Sequence, residues 1–297
     1  MKKFKGFLFL AVIWSGLGSI FAQTPVIHAH RGGAGEYPEN TIEAMIHAVS
    51  AGVRVLELDV HISADSMVVV SHDPYFHPSK VTWANGKRLP KGSQMRHILF
   101  NMSYAQMGSY DIGSLKQSIY PNRVNMFCQI PLLSDLISNV EAYTQRNGIA
   151  PVSYNIEIKS LPLKDNRLSP SYETFTRLVM DVLLPRQLGS RLIIQCFDTR
   201  TLNLLHSWYP NLKLSYLVDN TRTSLNDLLK NLEFTPAIFS PNYKMVTRNL
   251  VEEAHSQGIE VIPWTVDHRS DVITLRNMGV DAIITNYPTQ ALRWISE

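Results

Sequence analysis

Short apolar runs alternate with amphipathic stretches along most of this chain. The apolar runs are typical of buried strands, and the stretches after them carry apolar residues at the spacing of one helix face. The predicted strands are residues 26–30, 53–60, 153–159, 192–197, 212–218, 237–240, 260–266 and 282–286. The predicted helices are residues 41–51, 132–145, 171–183, 199–208, 224–232, 247–257, 270–278 and 289–295.

Eight strand–helix units in succession predict an α/β fold, a closed (β/α)8 TIM barrel, as one domain from residue 23 to residue 297. Helix signals agree with this reading. Asn40 or Thr41, with Glu43, can cap the first helix, and Gly258 and Gly279 suit helix C-termini. An open doubly wound sheet is the alternative, but the Gly-rich turn that is diagnostic of its dinucleotide-binding form is missing.

One long segment after the second strand, at about residues 74–130, does not fit the repeat. It is rich in Gly, Asn, Ser, Lys and aromatic residues, which include Trp83, Tyr104, Tyr110 and Tyr120. A loop of this length in a compact domain is usually a lid or a binding element, or else mobile. Because it leaves the barrel at the end where such folds carry their sites, we expect it to overhang the site.

The first 22 residues have the pattern of a secretory signal peptide. Three lysines precede an apolar stretch over residues 7–14, and small residues follow up to a cleavage site after Ala22. An uncleaved anchor is the alternative, but the apolar stretch is short for a membrane span. The sequence therefore predicts a periplasmic or secreted protein without stable membrane insertion.

The net charge bears on possible partners, and the cysteine content bears on disulfide formation. The formal net charge of +3 is accounted for by the three lysines of the leader, so the mature chain has no basic surplus for a nucleic acid. Cys128 and Cys196 could form one disulfide in a secreted protein. Cys196, however, lies within an apolar strand, which favours a buried thiol, and we expect no disulfide. The oligomeric state stays open.

Three acidic residues at predicted strand ends are candidates for a metal site. Glu57 and Asp59 are two residues apart in one strand and so point to the same face, and Glu157 ends the next barrel strand. Carboxylates held this close repel one another unless a cation lies between them. Oxygen ligands suit Ca²⁺ or Mg²⁺, whereas charges on a solvated rim are the simpler alternative.

Two histidines flank this acidic cluster and are candidates for proton transfer. His30 ends the first strand, and a turn at residues 64–66 can return the chain as a hairpin. If that turn is centred between Asp65 and Ser66, His72 pairs opposite Asp59. Imidazole titrates near neutral pH and can act as a general acid or base. Arg31 and Lys159 could bind a phosphate or pair with the carboxylates.

Together these motifs resemble the glycerophosphodiester phosphodiesterase family of the phospholipase C-like phosphodiesterase superfamily. The motifs are His30-Arg31-Gly32, Pro38-Glu39-Asn40-Thr41, Glu57-x-Asp59-Val60, His72-Asp73 and Glu157-x-Lys159. Ser66 departs from the family, which usually has Gly in this turn, and this questions the type of turn. An insertion after the second strand is also common in the family.

The resemblance implies a set of roles for these residues. It implies a divalent metal at Glu57, Asp59 and Glu157 and acid–base catalysis by His30 and His72. It also implies that a hydroxyl of the substrate's glycerol attacks phosphorus, and that water then opens the cyclic phosphate.

Other residues carry weaker signals. Phe197 and Trp264 could line a pocket for the glycerol or alcohol group, or belong equally well to the core. Glu39 is interpreted as structural, with Asn40 as the helix cap. Four further histidines are interpreted as surface or packing residues, namely His28, His47, His77 and His97.

The sequence thus predicts metal-dependent hydrolysis of small-molecule glycerophosphodiesters to glycerol 3-phosphate and an alcohol. A phospholipase acting on intact lipids is one alternative, but it would need an apolar face for docking to a membrane. A non-catalytic binding barrel is another, and it would be expected to have lost a histidine or an acid. A metal-dependent glycosidase would use paired carboxylates without the two histidines.

Overall fold

The computed structural model describes residues 24–219 and 222–297, and the predicted leader at residues 1–22 lies outside them. The strands are β1 (Val26–Ala29), β2 (Val55–Ile62), β3 (Val68–Val70), β4 (Thr82–Trp83), β5 (Tyr110–Asp111), β6 (Ser153–Ile158), β7 (Leu192–Cys196), β8 (Lys213–Val218), β9 (Ile238–Pro241), β10 (Glu260–Val261) and β11 (Ala282–Thr285). The helices are α1 (Ile42–Ser50), α2 (Tyr104–Met107), α3 (Leu133–Arg146), α4 (Tyr172–Leu183), α5 (Thr199–Trp208), α6 (Leu225–Leu229), α7 (Arg248–Ser256), α8 (Arg269–Met278) and α9 (Pro288–Trp294).

Eight parallel strands form the predicted barrel, in the order β10-β9-β8-β7-β6-β2-β1-β11. Hydrogen bonds between the chain around β10 and the chain around β11 close the ring, from Asp281 N to Val261 O and from Ile284 N to Pro263 O. The prediction of a TIM barrel is confirmed. The seventh barrel strand, predicted over residues 260–266, has a regular ladder at Glu260–Val261 only, because Pro263 has no N–H to donate.

Alternation along each strand separates an apolar layer from a polar interior. In β2, Leu56 and Leu58 face outward into the large core between the barrel and its helices, whereas Glu57 and Asp59 face inward. The neighbouring β6 repeats this arrangement, with Ile156 packed outward. Because side chains alternate along the strands, the carboxylates point to the barrel axis while their apolar neighbours fill the outer core.

The hairpin formed by β2 and β3 has a register one residue away from the predicted one. Val60 pairs with Val70 and Ile62 with Val68, and the Ser71 N–H donates to the Asp59 carbonyl. Ser71, not His72, therefore lies opposite Asp59. The turn centres on Asp65 because Ser66 adopts a left-handed conformation with φ of 61°.

Residues 74–130 fold against the barrel as a compact insertion. Strands β4 and β5 form a small antiparallel sheet, and helix α2 begins with a capping box at Ser103. A separate apolar cluster, which includes Phe76, Leu99 and Tyr110, holds the insertion together. Its two ends leave the barrel side by side, since the Val70 N–H donates to the Pro131 carbonyl.

Helix α1 is capped by Thr41, the second of the two caps proposed for it. The Thr41 hydroxyl accepts the Ala44 N–H, so Thr41 is the N-cap and Asn40 has a different role. Gly279 ends α8 in the left-handed conformation, as predicted. Cys128 and Cys196 are both buried free thiols. Within residues 24–219 and 222–297, every helix is too short or too polar to span a bilayer.

Candidate active site

A cavity of about 150 Å³ opens at the carboxyl ends of the barrel strands. Eight of the nine predicted site residues line it, and Asp59 lies next to them as a fully buried member of the acidic cluster. The residues lining the cavity are His30, Arg31, Glu57, His72, Glu157, Lys159, Gln195, Phe197, Leu217, Trp264, Thr265 and Ile284. The strand ends thus bring together the groups that the sequence singled out.

The turn after β1 explains the His-Arg-Gly motif. Arg31 has a φ of 54°, and its N–H donates to Glu57 Oε2 at 2.8 Å. Gly32 follows with a φ of 80°, and a Cβ there would lie 2.8 Å from Ala44 Cβ in α1. Only glycine fits this approach, and the resulting turn aims both His30 and Arg31 into the cavity.

The three carboxylates form a buried cluster with the chemistry of a cation site. Ligand oxygens of Glu57, Asp59 and Glu157 all lie within 4.8 Å of one another. Burial, then the neighbouring Asp59 carboxylate, raises the pKa of Glu57 well above its ordinary range. Asp59 Oδ1 is buried and accepts no hydrogen bond from residues 24–219 or 222–297. An orphaned oxygen in a repelling, all-oxygen cluster fits a hard divalent cation.

Arg31 and Lys159 border this cluster with positive charge. Lys159 Nζ lies 2.7 Å from Glu157 Oε1 and 3.5 Å from Asp59 Oδ1, and Arg31 Nε lies 3.5 Å from Asp59 Oδ2. Burial opposes the charge on Lys159, yet the Glu157 and Asp59 carboxylates raise its pKa. Both cations therefore stay charged at the cavity wall, where a phosphate could replace part of their pairing.

Polar residues inside the barrel orient Glu57. The Gln195 amide donates to Glu57 Oε1 at 2.8 Å, and Asn155 donates to Gln195 Oε1 at 3.0 Å. His28, predicted as a surface or packing residue, is buried beside Asn155, whose amide lies 3.4 Å from its Nδ1. Burial lowers the pKa of His28 to about 3, with a smaller contribution from Lys213, so it packs as a neutral ring.

A relay of hydrogen bonds from β11 orients His30. Asn286 donates its Nδ2 to Asp267 Oδ2 at 2.7 Å, so its Oδ1 must face His30 Nδ1, also at 2.7 Å. His30 therefore carries its proton on Nδ1, and its Nε2 keeps a lone pair toward Arg31 Nε at 3.3 Å. Burial and then the Arg31 charge lower the pKa of His30 to about 3, which leaves the ring neutral at pH 7.

His72 reaches the cavity from the turn after β3. Its Nδ1 donates to Asp73 Oδ1 at 2.9 Å, which leaves Nε2 for a ligand. The buried His61, two residues after Asp59 in β2, donates its Nε2–H to the His72 carbonyl at 3.1 Å and holds the backbone of this turn. His72 thus approaches the acidic cluster despite the shifted hairpin register.

The Pro-Glu-Asn-Thr turn supports the site through both of its polar residues. Asn40, with a φ of 59°, is buried and donates its Nδ2 to Asp59 Oδ2 at 2.9 Å. Glu39 accepts from Arg31 Nη1 at 2.9 Å and from Lys80 Nζ at 3.1 Å. Burial acts to raise the pKa of Glu39, but Arg31 and Lys80 lower it to about 2. Asn40 thus orients a carboxylate instead of capping α1.

An aromatic corner forms the apolar side of the cavity. Phe197 and Trp264 meet edge to face with ring centroids 5.5 Å apart, and Trp264 Nε1 donates to the Ser240 carbonyl at 2.9 Å. Lys159 Nζ lies 6.0 Å from the Phe197 centroid. Of the two interpretations of these aromatic residues, the structure favours the pocket wall.

Asp267, His61 and Lys80 are the supporting residues that the sequence analysis missed. Strand period could have found His61, because it shares the inward face of Glu57 and Asp59. Asp267 and Lys80 carry no local signal, since no strand or helix period relates them to their partners: Asn286 lies 19 residues after Asp267, and Asp73 lies seven residues before Lys80.

Comparison with known proteins agrees with this geometry. A match to the Glycerophosphoryl diester phosphodiesterase family covers residues 30–290. A glycerophosphodiester phosphodiesterase of Bacillus altitudinis is 27% identical over 270 residues, which is 90% of this chain and 96% of that protein. A Silicibacter pomeroyi protein described as a candidate glycerophosphoryl diester phosphodiesterase is 26% identical, and its crystal structure superposes with a TM-score of 0.81 over 92% of this chain and 93% of its own.

A phosphodiesterase of Oleispira antarctica, solved in complex with the product sn-glycerol-3-phosphate, shares the fold. Its TM-score is 0.70 at 22% identity, over 92% of this chain and 97% of that one. The family match spans nearly the whole barrel and includes the His-Arg-Gly turn, the acidic cluster and both cavity histidines. This chain belongs to the glycerophosphoryl diester phosphodiesterase family.

Proposed function

We propose that this protein hydrolyses glycerophosphodiesters to glycerol 3-phosphate and an alcohol, with a divalent cation, Ca²⁺ or Mg²⁺, as cofactor. The observation that carries the proposal is one cavity in which three buried carboxylates, two cations and two histidines meet. Each kind of group has a use in phosphodiester hydrolysis. The phosphate requires positive charge, and the two oxygens that exchange at phosphorus require a base and an acid.

The cation would be held by Glu57, Asp59 and Glu157, whose oxygens suit a hard ion. When bound, it would withdraw charge from the phosphate oxygens and stabilise the charge that develops there. Arg31 and Lys159 would orient the phosphate from the cavity wall. The apolar corner of Phe197 and Trp264 would pack against the glycerol carbons.

The two histidines differ in the group that accepts from Nδ1, a neutral amide for His30 and a carboxylate for His72, and this supports a division of roles. His30 is neutral, and its Nε2 lone pair accepts only from Arg31 Nε at 3.3 Å, which the attacking hydroxyl can displace, so we assign His30 as the base that takes the proton of that hydroxyl. His72 is assigned as the acid: the Asp73 carboxylate at Nδ1 supports the imidazolium form, whose second proton on Nε2 passes to the leaving oxygen. In the expected reaction, a glycerol hydroxyl attacks phosphorus, and water then opens the cyclic phosphate.

A substrate panel tests the activity directly. Purified protein is incubated with glycerophosphocholine, glycerophosphoethanolamine, glycerophosphoglycerol, a lysophospholipid and an intact phospholipid, and released glycerol 3-phosphate and choline are measured. Each reaction is run with EDTA and then with added Ca²⁺ or Mg²⁺. Release from the water-soluble diesters that EDTA stops and a cation restores supports the proposal. Release confined to lipids would favour a phospholipase, and binding without turnover would favour a non-catalytic barrel.

We further propose that the protein is exported to the periplasm or secreted, with residues 1–22 removed. The support is the charged and apolar pattern of this leader. N-terminal sequencing of the protein from fractionated cells tests it. A mature N-terminus near residue 23 in the periplasmic or culture fraction is expected, and an intact leader in the cytoplasm would contradict it.

A further inference from the structure

Lys80 occupies an unusual place between the insertion and the barrel. It follows a tight turn, in which its N–H donates to the His77 carbonyl, and its side chain is about three-quarters buried. Its Nζ lies 3.1 Å from Glu39 Oε1 and 2.9 Å from Asp73 Oδ2. One ammonium group from the insertion therefore bridges two carboxylates that belong to separate turns of the barrel rim.

Each of these carboxylates uses its second oxygen on a group of the proposed active site. Glu39 Oε2 accepts from Arg31 Nη1 at 2.9 Å, and Asp73 Oδ1 accepts from His72 Nδ1 at 2.9 Å. Arg31 and His72 both line the cavity, whereas Lys80 lines a smaller one of about 40 Å³ behind His72. Among these contacts, the hydrogen bonds of Lys80 reach the site through Glu39 and Asp73.

The charge of Lys80 is what allows the two carboxylates to face each other. Without it, Glu39 and Asp73 would be like charges held within reach of the same point, and they would repel. Glu39 is still held by Arg31, but the Asp73 carboxylate is a quarter exposed and is free to turn to water. His72 would then lose the acceptor that fixes its ring.

We propose that Lys80 is a positioning residue for the reaction: through Asp73 it holds the His72 imidazole in the orientation that protonates the leaving alcohol. The inference rests on the proposed function, since it assigns the insertion a part in that same site. It adds that the insertion, which lies outside the barrel, orients the proposed general acid. The base side, by contrast, is oriented by Asn286 and Asp267 within the barrel.

Leaving-group dependence separates this role from a merely structural one. Lys80→Met, Lys80→Arg and wild type are compared on glycerophosphocholine and on glycerol phosphate nitrophenyl ester, whose leaving group needs no proton. For Lys80→Met we expect kcat to fall about 10- to 100-fold on the choline ester, as for a misplaced catalytic group. On the nitrophenyl ester kcat should stay within about threefold, since acid catalysis is not needed there.

Two comparisons control this experiment. Lys80→Arg should keep both rates within about threefold, because a guanidinium group can bridge two carboxylates. Lys87→Met, at an exposed lysine of the same insertion, should behave as wild type. Loosening of Arg31 through Glu39 would raise KM for both substrates alike and leave the ratio of the two kcat values unchanged.

A double variant and a spectrum complete the test. If Lys80 acts through Asp73, Lys80→Met combined with Asp73→Asn should be no slower than Asp73→Asn alone. Long-range ¹H–¹⁵N NMR reads the His72 tautomer without any substrate, with the signal assigned by its loss in His72→Gln. The spectrum is recorded with the ring neutral, where its single proton reports the contact with Asp73: wild type and Lys80→Arg should hold that proton on Nδ1, and Lys80→Met should give a mixture.

Several outcomes would overturn the inference. These are equal loss of kcat on both substrates, no loss on the choline ester, additive effects in the double variant, or a His72 tautomer that Lys80→Met leaves unchanged. Absence of glycerol 3-phosphate release by wild type would instead refute the proposed function. In that case the tautomer measurement still decides whether Lys80 positions His72.

Discussion

The barrel and the insertion differ in how they contribute to the site. Each residue that lines the cavity comes from a barrel strand, its hairpin or the turn that follows, and the ladder of backbone hydrogen bonds positions these strand ends. The insertion, which has its own apolar cluster, reaches the site from behind through the side chain of Lys80. The barrel strands therefore position the groups that we propose to react, and by our inference the separately packed insertion orients one of them.

The barrel and the insertion should therefore respond differently to mutation. Substitutions in the acidic cluster should abolish activity without unfolding the barrel, because Glu57 and Asp59 face away from the apolar layer. Damage to the insertion should alter rates and preference while the barrel still folds. Five predictions test this contrast, in order of decreasing effect.

Removal of the metal should have the largest effect. EDTA should reduce activity to background, and added Ca²⁺ or Mg²⁺ should restore it. Glu57→Gln should weaken metal affinity by at least about 10- to 100-fold, as calorimetry would measure. The barrel should still fold, because glutamine keeps one acceptor oxygen for either the Arg31 N–H or the Gln195 amide, and removal of one buried charge from the cluster offsets the hydrogen bond that is lost. Glu252→Gln on the barrel surface is the control, and full activity in a metal-stripped sample would refute the metal assignment.

The histidines should come next, with losses that depend on the leaving group. His30→Ala and His72→Ala should each lower kcat on alkyl esters by about 10²–10⁴-fold, the usual contribution of general acid or base catalysis. A nitrophenyl ester should rescue His72→Ala and leave His30→Ala slow. Metal affinity should be little affected in either variant. Equal rescue of both variants, or of neither, would contradict the assigned roles.

Removal of the insertion should leave a folded barrel. The ends lie side by side at Val70 and Pro131, so a short Gly-Ser linker can replace residues 76–128 and retain His72 and Asp73. We expect a cooperative thermal transition, an altered substrate preference and a kcat lowered about as much as in Lys80→Met, because Lys80 is lost. Loss of the transition in circular dichroism would show that the insertion is part of the folding core.

A barrel-core variant is the matched comparison for that deletion. Phe239 is fully buried between the strands and the helices. Phe239→Ala should lower the free energy of unfolding by about 3–5 kcal/mol, the usual cost for a large core aromatic residue. If Phe239→Ala lowers the free energy of unfolding less than removal of the whole insertion does, the insertion matters more to stability than the barrel core, and the proposed contrast is reversed.

The smallest effect should come from the hairpin turn. Ser66 is exposed and has a φ of 61°, a conformation that costs free energy for serine but not for glycine. Ser66→Gly should therefore raise the free energy of unfolding by about 1 kcal/mol. Chemical denaturation measures this difference, with Ser66→Ala as a control that should not stabilise. Activity should be unchanged. A loss of stability in Ser66→Gly would mean that the serine makes a favourable contact in this turn.

Local patterns in the sequence were enough to predict the class of fold and the residue types of the site. Strand and helix periods are local, so eight units could be read in order, and only the boundaries moved by a few residues. The spacing of Glu57 and Asp59 sufficed to predict a shared face, because alternation in a strand needs no tertiary information. The motif around His30 likewise marked a turn whose glycine is required by close approach to α1.

The partners of each site residue, in contrast, depend on tertiary contacts. The hairpin register depended on the conformation of Ser66, a single dihedral angle that shifts every pair by one residue. The proton position on His30 depended on Asn286, 256 residues away along the chain. The link from Lys80 to His72 depended on how the insertion packs against the rim. Such contacts depend on how the chain packs in three dimensions, even between residues as near in sequence as Lys80 and Asp73, and strand or helix periods carry no information about them.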